Sequence, residues 1–288
     1  MKSYIKPNLF VIGAMKSGTT SLHNYLNTHR SIYMSEPKEP GYFVDEINWH
    51  KGEDWYLSLF ENAGPAIYKG ESSTDYTKYP IYQGVAERIY LFNPEAKLIY
   101  VMRNPFDRII SHYWHAVRHI STGGLKMDIT TACKKKPEFI AFSDYPMQIR
   151  QYLKLFKPSQ IYLTTFEELV DNPSKEMQKI YRWLGLDDNI TQNIYSDRWN
   201  ARPKKISTVR GTGFLNSIRY SWLWDRLSRN VPKSIRTQLS KLAVKEVSDG
   251  TQSAEIELLR TTIKESLEAQ IYDLSTLTGK DYSNIWYI

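Results

Sequence analysis

The segment Phe10-Val11-Ile12-Gly13-Ala14-Met15-Lys16-Ser17-Gly18-Thr19-Thr20-Ser21 decides the fold: an apolar run opens into a loop bounded by two glycines, and a series of hydroxyl residues follows. In the common nucleotide-triphosphate loop a glycine, four residues, a second glycine, a lysine and a Ser/Thr follow in order, and the lysine reaches the β- and γ-phosphates. Gly13 and Gly18 keep that spacing, but Thr19 stands where the lysine belongs, and Lys16 falls two residues before the second glycine. That place suits the 5′-phosphate end of a ligand without a γ-phosphate and points away from ATP. Leu9 to Ile12 reads as a buried parallel strand and Thr19 onward as a helix start, where unpaired backbone N–H groups and the helix dipole attract an anion. Leu22, Tyr25 and Leu26 give that helix an apolar stripe to lay against a sheet.

Outward from this loop, strand-like and helix-like runs alternate, which predicts an α/β fold: a single domain over 1–288 with a central, mostly parallel sheet flanked by helices and a P-loop-like phosphate-binding loop. The predicted strands are Leu9–Gly13, Ala66–Gly70, Lys97–Met102 and Gln160–Thr165. Helices are predicted over Ile81–Phe92 and Asp144–Phe156, the latter with Tyr145, Ile149, Leu153 and Phe156 on one face. Asn104-Pro105 and Asn172-Pro173 each place a capping side chain before a proline at the first helical position. The segment 253–277 reads as an amphipathic packing helix, with Ile256, Leu259, Ile263, Leu267, Ile271 and Leu274 along one face. Residues 186–230, rich in Arg, Asn, Ser and Gly, read as a long loop region.

The chain has 288 residues, 41% of them hydrophobic, enough for one large α/β core or two small ones, of which the single domain is the expectation. Its 38 basic and 31 acidic residues give a net charge of +7, which suits a polyanionic ligand and equally nucleic acid or an anionic membrane surface. No basic, aromatic-interleaved stripe of the kind that binds nucleic acid accompanies that charge, and the densest basic run, Lys134-Lys135-Lys136, reads as a solvated loop before a proline. One cysteine, Cys133, excludes a disulfide framework and a zinc cluster. The sequence runs from Met1 through Pro7 straight into the first strand, and no apolar run reaches membrane-spanning length; the expectation is a soluble, unexported, cytoplasmic protein without a membrane span.

Two further clusters carry chemistry. Leu98 to Met102 delivers Arg103 to the carboxyl end of a strand, the edge where open α/β sheets hold ligands. The capped helix after it shows a polar stripe at Arg108, Ser111, His115 and Arg118, opposite Ile109, Ile110, Tyr113, Trp114 and Val117. An arginine at such a place clamps phosphate bidentately. In Met34-Ser35-Glu36-Pro37-Lys38-Glu39-Pro40-Gly41-Tyr42-Phe43, each glutamate precedes a proline, which biases it toward extended geometry in a stiffened loop able to present a carboxylate.

Taken in order over residues 8–210, Gly13 to Ser21, Glu36 to Phe43, Gly70-Glu71-Ser72-Ser73 and Arg103 to Ser111 resemble the sulfotransferases that use 3′-phosphoadenosine 5′-phosphosulfate (PAPS), in particular a bacterial branch related to heparan sulfate sulfotransferase domains. Thr278-Gly279-Lys280-Asp281, with Trp286 beyond, is similar to the usual close of that branch. The resemblance implies that Lys16, Ser17, Gly18, Thr19, Thr20 and Ser21 form the 5′-phosphosulfate loop, with Lys16 neutralising the leaving phosphate. It implies that Arg103 and Ser111 hold the 3′-phosphate, that Glu39 is the general base, and that His115 is a second catalytic candidate. Arg202, Lys204, Lys205 and Ser207 fall in a late basic loop that closes over the nucleotide in the family. PAPS is then the co-substrate, 3′-phosphoadenosine 5′-phosphate (PAP) the product, no metal is required, and the acceptor is a small molecule or a carbohydrate. The family's 3-O-sulfotransferases carry a lysine after the third-motif glutamate, where this chain has Glu71-Ser72. A P-loop kinase or NTPase is the alternative, set apart by its need for Mg²⁺ and a triphosphate.

Overall fold

Strand β1 (Leu9–Gly13) is buried at every position, as expected of a parallel strand covered on both faces. Its residues alternate between two cores: Phe10 and Ile12 enter one, Leu9 and Val11 the other. The computed structural model describes residues 6–118, 125, 127–188, 207–209, 244–246 and 249–288. The chain divides into two compact units, Met1–Asn200 with Glu257–Ile288, and Ala201–Ile256.

In the first unit β1 is followed by α1 (Thr19–Asn27), β2 (Ile32–Met34), α2 (Gly52–Ser58), β3 (Tyr68–Ser72), α3 (Val85–Phe92), β4 (Lys97–Met102) and α4 (Pro105–Arg118). Then come α5 (Ile129–Lys135), α6 (Glu138–Ala141), α7 (Tyr145–Leu153), β5 (Ile161–Thr165), α8 (Phe166–Asp171) and α9 (Pro173–Trp183). The five strands form one sheet in the order β2-β3-β1-β4-β5, with every pairing parallel. On one face Leu22 and Leu26 of α1 and Met177 and Ile180 of α9 cover Val11 and Val101; on the other Tyr56, Ile89, Tyr145 and Ile149 cover Phe10, Tyr100 and Met102. Each such fully buried apolar side chain contributes about 1.5–3 kcal/mol.

Connections leave β1 toward β2 on one side and β4 toward β5 on the other, so the switch point of the sheet is the crevice between the carboxyl ends of β1 and β4. At that end β1 carries one extra residue between Val11 and Gly13 relative to β4, a bulge that re-aims the chain into the following loop.

The sequence predicts β1 and β4 with the observed bounds, and both asparagine caps form: Asn104 Oδ1 accepts from Phe106 N and Asp107 N, and Asn172 Oδ1 from Lys175 N. Four expectations are corrected. The third strand lies two residues later than Ala66–Gly70, because Glu71 and Ser72 are buried and satisfied rather than turned to water. Helix α3 begins at Val85, not Ile81, since Gly84 caps it in the left-handed conformation at φ 71°. Lys134 and Lys135 close α5 instead of lying in a loop, where they complement the negative end of its dipole. Arg108, read as part of a polar stripe, is fully buried: its guanidinium donates to Ser143 Oγ and the Phe139 carbonyl.

In the second unit β6 (Ser207–Val209) pairs antiparallel with β7 (Val244–Glu246), so three residues of the predicted 186–230 loop are strand. Helix α10 (Asp249–Thr278) starts at the end of that stretch of chain and from Glu257 on belongs to the first unit, where its Leu259, Ile263, Leu267, Ile271 and Leu274 are buried as their spacing predicts.

Candidate functional site

The β1–α1 loop is held to the sheet by Ala14 N donating to Val101 O at 2.7 Å and closed by Ser17 N donating to Ala14 O at 3.2 Å. Gly13 is required there, since a Cβ would lie 2.0 Å from Thr77 Oγ1, which itself donates to Ile12 O. Gly18 is the N-cap of α1 at φ 87° and contributes no capping side chain, so the first turn of the helix faces the crevice with no side-chain acceptor on its amides. Ser17 is fully buried and its Oγ makes no hydrogen bond; Tyr145, whose hydroxyl it approaches, is engaged by the Arg103 main chain. Thr19 is buried, while Lys16, Thr20 and Ser21 are half-buried.

Arg103 follows β4 directly and crosses the crevice: Nη1 donates to the Lys16 carbonyl at 3.3 Å. Its guanidinium stacks on Phe166 at 4.6 Å from the ring centroid, and the same ring edge lies against Gly18, where a Cβ would sit 2.9 Å from Cδ2. Nε is buried without a hydrogen-bond partner, a donor left for a ligand. Arg103 also reaches Asp107 on the first turn of α4, with Nη2 to Oδ2 at 3.8 Å. Ser111 and then His115 lie one and two turns further along that helix face, both half-buried.

Glu39 sits on the far side of β1, beyond β3. Its N–H donates to Ser72 O at 3.0 Å and its exposed carboxylate pairs with Lys38. Glu36 is exposed in the same loop. Among the described residues only two non-glycines adopt positive φ, Lys16 at 71° and Glu39 at 63°. Such a conformation costs about 1–2 kcal/mol per residue and persists where the surroundings over-determine it, most often at working sites.

The electrostatics around the crevice keep neutral groups neutral. Burial, reinforced by Lys38, pushes His23 down to about 4, and its Nδ1 pairs with Ser72 Oγ at 2.9 Å. Burial, with Arg108, Lys78, His115 and Lys16 adding their charge, pushes His112 down to about 2. Glu71, fully buried at the end of β3, is pushed up to about 7 by burial against the opposing effect of hydrogen bonds from Tyr76, Ser73 and Tyr56. Burial likewise raises Cys133 to about 11.

Lys16 and Arg103 are thus brought together, with Ser17, Gly18 and Thr19 beside them; Ser111 and His115 line the adjoining helix. Arg202, Lys204 and Lys205 lie outside the described residues. Sequence reasoning missed Lys38, whose only signal is adjacency to Glu39. It also missed Phe166, which opens α8 with nothing in its neighbourhood to mark it. Among the described residues no group of three or more His, Cys, Asp or Glu is placed to hold a metal ion, and no helix is long and apolar enough to cross a membrane.

The family model described as "Sulfotransferase domain" matches residues 6–212. The chain is 27% identical over 211 residues to the bifunctional heparan sulfate N-deacetylase/N-sulfotransferase 2 of Bos taurus, covering 66% of this chain and 23% of that protein. It is 28% identical over 199 residues to the heparan sulfate glucosamine 3-O-sulfotransferase 5 of Mus musculus, covering 66% of this chain and 56% of that one. The chain therefore spans about a quarter to a half of the length of these relatives. Its fold is that of a sulfotransferase from Alicyclobacillus acidocaldarius, with a TM-score of 0.68, 22% identity and coverage of 97% and 98% of the two chains.

Proposed function

Because the chain belongs to the sulfotransferase domain family, we propose that residues 1–288 act as one sulfotransferase that moves the sulfuryl group of PAPS to a hydroxyl or amine of a small-molecule or carbohydrate acceptor. The observation that carries this reading is the contact between the Arg103 guanidinium and the Lys16 carbonyl at the sheet's switch point. It joins the lysine-bearing loop, suited to a 5′-phosphosulfate, to a clamp suited to a 3′-phosphate, and a triphosphate site needs only the first.

In the proposed reaction the amides at the start of α1, with Lys16, Ser17, Thr19, Thr20 and Ser21, receive the 5′-phosphosulfate, and Arg103 and Ser111 receive the 3′-phosphate. By the family resemblance alone, Arg202, Lys204 and Lys205 are further candidates for binding the nucleotide. Glu39 takes the proton of the acceptor as its oxygen or nitrogen attacks sulfur in line, and His115 stands as the second acid–base candidate. As the bond from sulfur to the phosphate oxygen breaks, Lys16 and the helix amides stabilise the charge gathering on PAP; positioning and electrostatics supply most of the rate. No step calls for a metal, and cytoplasmic placement accords with the proposal.

The test is calorimetry with PAP against AMP, followed by transfer of labelled sulfate from PAPS to sugar and metabolite acceptors in EDTA. Tighter binding of PAP and metal-independent transfer are expected. Equal affinity for the two nucleotides, or turnover of ATP that requires magnesium, would assign the loop to a kinase or NTPase instead.

A further inference from the structure

Glu71 has no part in the proposed chemistry, yet its fully buried carboxylate collects three hydroxyls: Ser73 Oγ donates to Oε2 at 2.7 Å, and Tyr76 and Tyr56 donate to Oε1, the latter at 3.3 Å. When ionised, above its raised pKa of about 7, the carboxylate only accepts, so each hydroxyl commits its single hydrogen to it and turns its lone pairs the other way. Those lone pairs are in use. Gly41 N donates to Ser73 Oγ at 2.9 Å and Phe43 N to the Tyr76 hydroxyl at 3.4 Å. With Glu39 N on Ser72 O, the backbone is therefore gripped at 39, 41 and 43, always by the end of β3 or the turn that follows it.

We infer that Glu71 is a positioning residue for Glu39: by orienting the Ser73 and Tyr76 hydroxyls it fixes the main chain just after Glu39 and so holds that residue in its left-handed conformation. The inference rests on the reading of Glu39 as the base. It accounts for a buried carboxylate with no salt-bridge partner among the described residues, and for why Ser72 and Ser73, rather than apolar residues, end an otherwise buried strand. Two acceptor oxygens are what make the arrangement directional, since an amide of the same size turns one of them into a donor and lets the hydroxyl bound there rotate and release its amide.

Three variants test this: Ser73→Ala, Tyr76→Phe and Glu71→Gln, which removes the charge and turns one acceptor into a donor. The first two should each lower kcat about tenfold, the worth of one hydrogen bond, with KM for PAPS and the Kd for PAP within about twofold of the unaltered protein. Glu71→Gln should lower kcat in the same direction. Placed in a Glu39→Gln background, the same changes should leave the residual rate within about twofold, because a group that acts through Glu39 has nothing left to position. Equal losses in both backgrounds would mean a general structural role and overturn the inference. Amide hydrogen exchange reads the grip without any turnover: protection at Gly41 and Phe43 should fall about tenfold or more in Ser73→Ala and Tyr76→Phe, respectively, while β1 and β4 stay protected. Unchanged exchange at both amides would also overturn it. Should Glu39→Gln retain full activity, the base assignment falls, and exchange alone then decides whether Glu71 organises the segment.

Discussion

Replacing Gly18 by alanine puts three opposed effects on one atom. At φ 87° the new Cβ meets the left-handed penalty of about 1–2 kcal/mol, and at 2.9 Å from Phe166 Cδ2 and 3.3 Å from Cε2 it overpacks the ring by about 1–3 kcal/mol. The smaller conformational freedom of alanine in the unfolded chain returns about 0.4–1 kcal/mol. The net loss is about 3 kcal/mol, or a fall in melting temperature of roughly 6–12 °C. The ring cannot yield without disturbing the guanidinium stacked on it 4.6 Å away, so PAP affinity should fall together with stability. Calorimetric melting of Gly18→Ala, Phe166→Ala and the double variant separates the parts: the double variant should be less damaged than the sum of the singles, by about 1–3 kcal/mol, because the overpacked partner is gone. A melting temperature for Gly18→Ala within 2 °C (roughly half a kcal/mol) of the parent, or strict additivity in the cycle, would refute the reasoning.

The remaining predictions concern the nucleotide, the base and acid stability. Arg103→Ala removes charge-assisted hydrogen bonds and should raise the Kd for PAP by about 10–100-fold in calorimetry; an unchanged Kd would place the 3′-phosphate elsewhere. Lys16→Ala should lower kcat by about 10²–10³ with a smaller change in PAPS KM, measured by steady-state transfer, and a pure KM effect would contradict its role on the leaving group. Glu39→Gln should leave PAP binding intact and cut transfer by about 10²–10⁴, and near-normal transfer would remove it from the mechanism. His23 and His112 have depressed folded-state pKa values, so the stability that each contributes is full above about 6.5 and is lost as pH falls toward about 4 for His23 and about 2 for His112. Glu71, whose folded pKa is raised, works the other way, stabilising more as pH falls from about 7 to the ordinary carboxylate range. Below that range only the histidine loss continues. Urea midpoints should therefore drop steeply between pH 4.5 and 3, and a flat midpoint there would contradict neutral buried histidines.

The sequence is most informative where one physical demand dominates. A strand buried on both faces must be apolar throughout, which makes β1 and β4 legible to the residue, and a proline at the first helical position after asparagine marks α4 and α9 equally well. Since a strand end, a glycine loop and a helix start follow from local pattern, the place of Lys16 and of Arg103 at one sheet edge was readable before any coordinates. Burial of polar groups was not. Arg108 reads as part of a polar stripe because its partners, Ser143 and Phe139, are 35 and 31 residues further along the chain, and Glu71 falls just beyond the predicted strand because nothing local announces that a carboxylate will be solvated by the hydroxyls of Tyr56 and Tyr76 instead of water. Phe166 is hidden for the same reason: its place between Gly18 and Arg103 is created by the pairing of β4 with β5.

The two non-glycine residues at positive φ set a trap for anyone hardening this protein. A stability-guided redesign hunts for backbone discomfort and installs glycine there, and Lys16 and Glu39 would head its shortlist. Each swap would tend to produce a tougher molecule stripped of the side chain for which the discomfort was tolerated, so a screen ranking variants by heat resistance alone would discard the two groups on which turnover is proposed to depend.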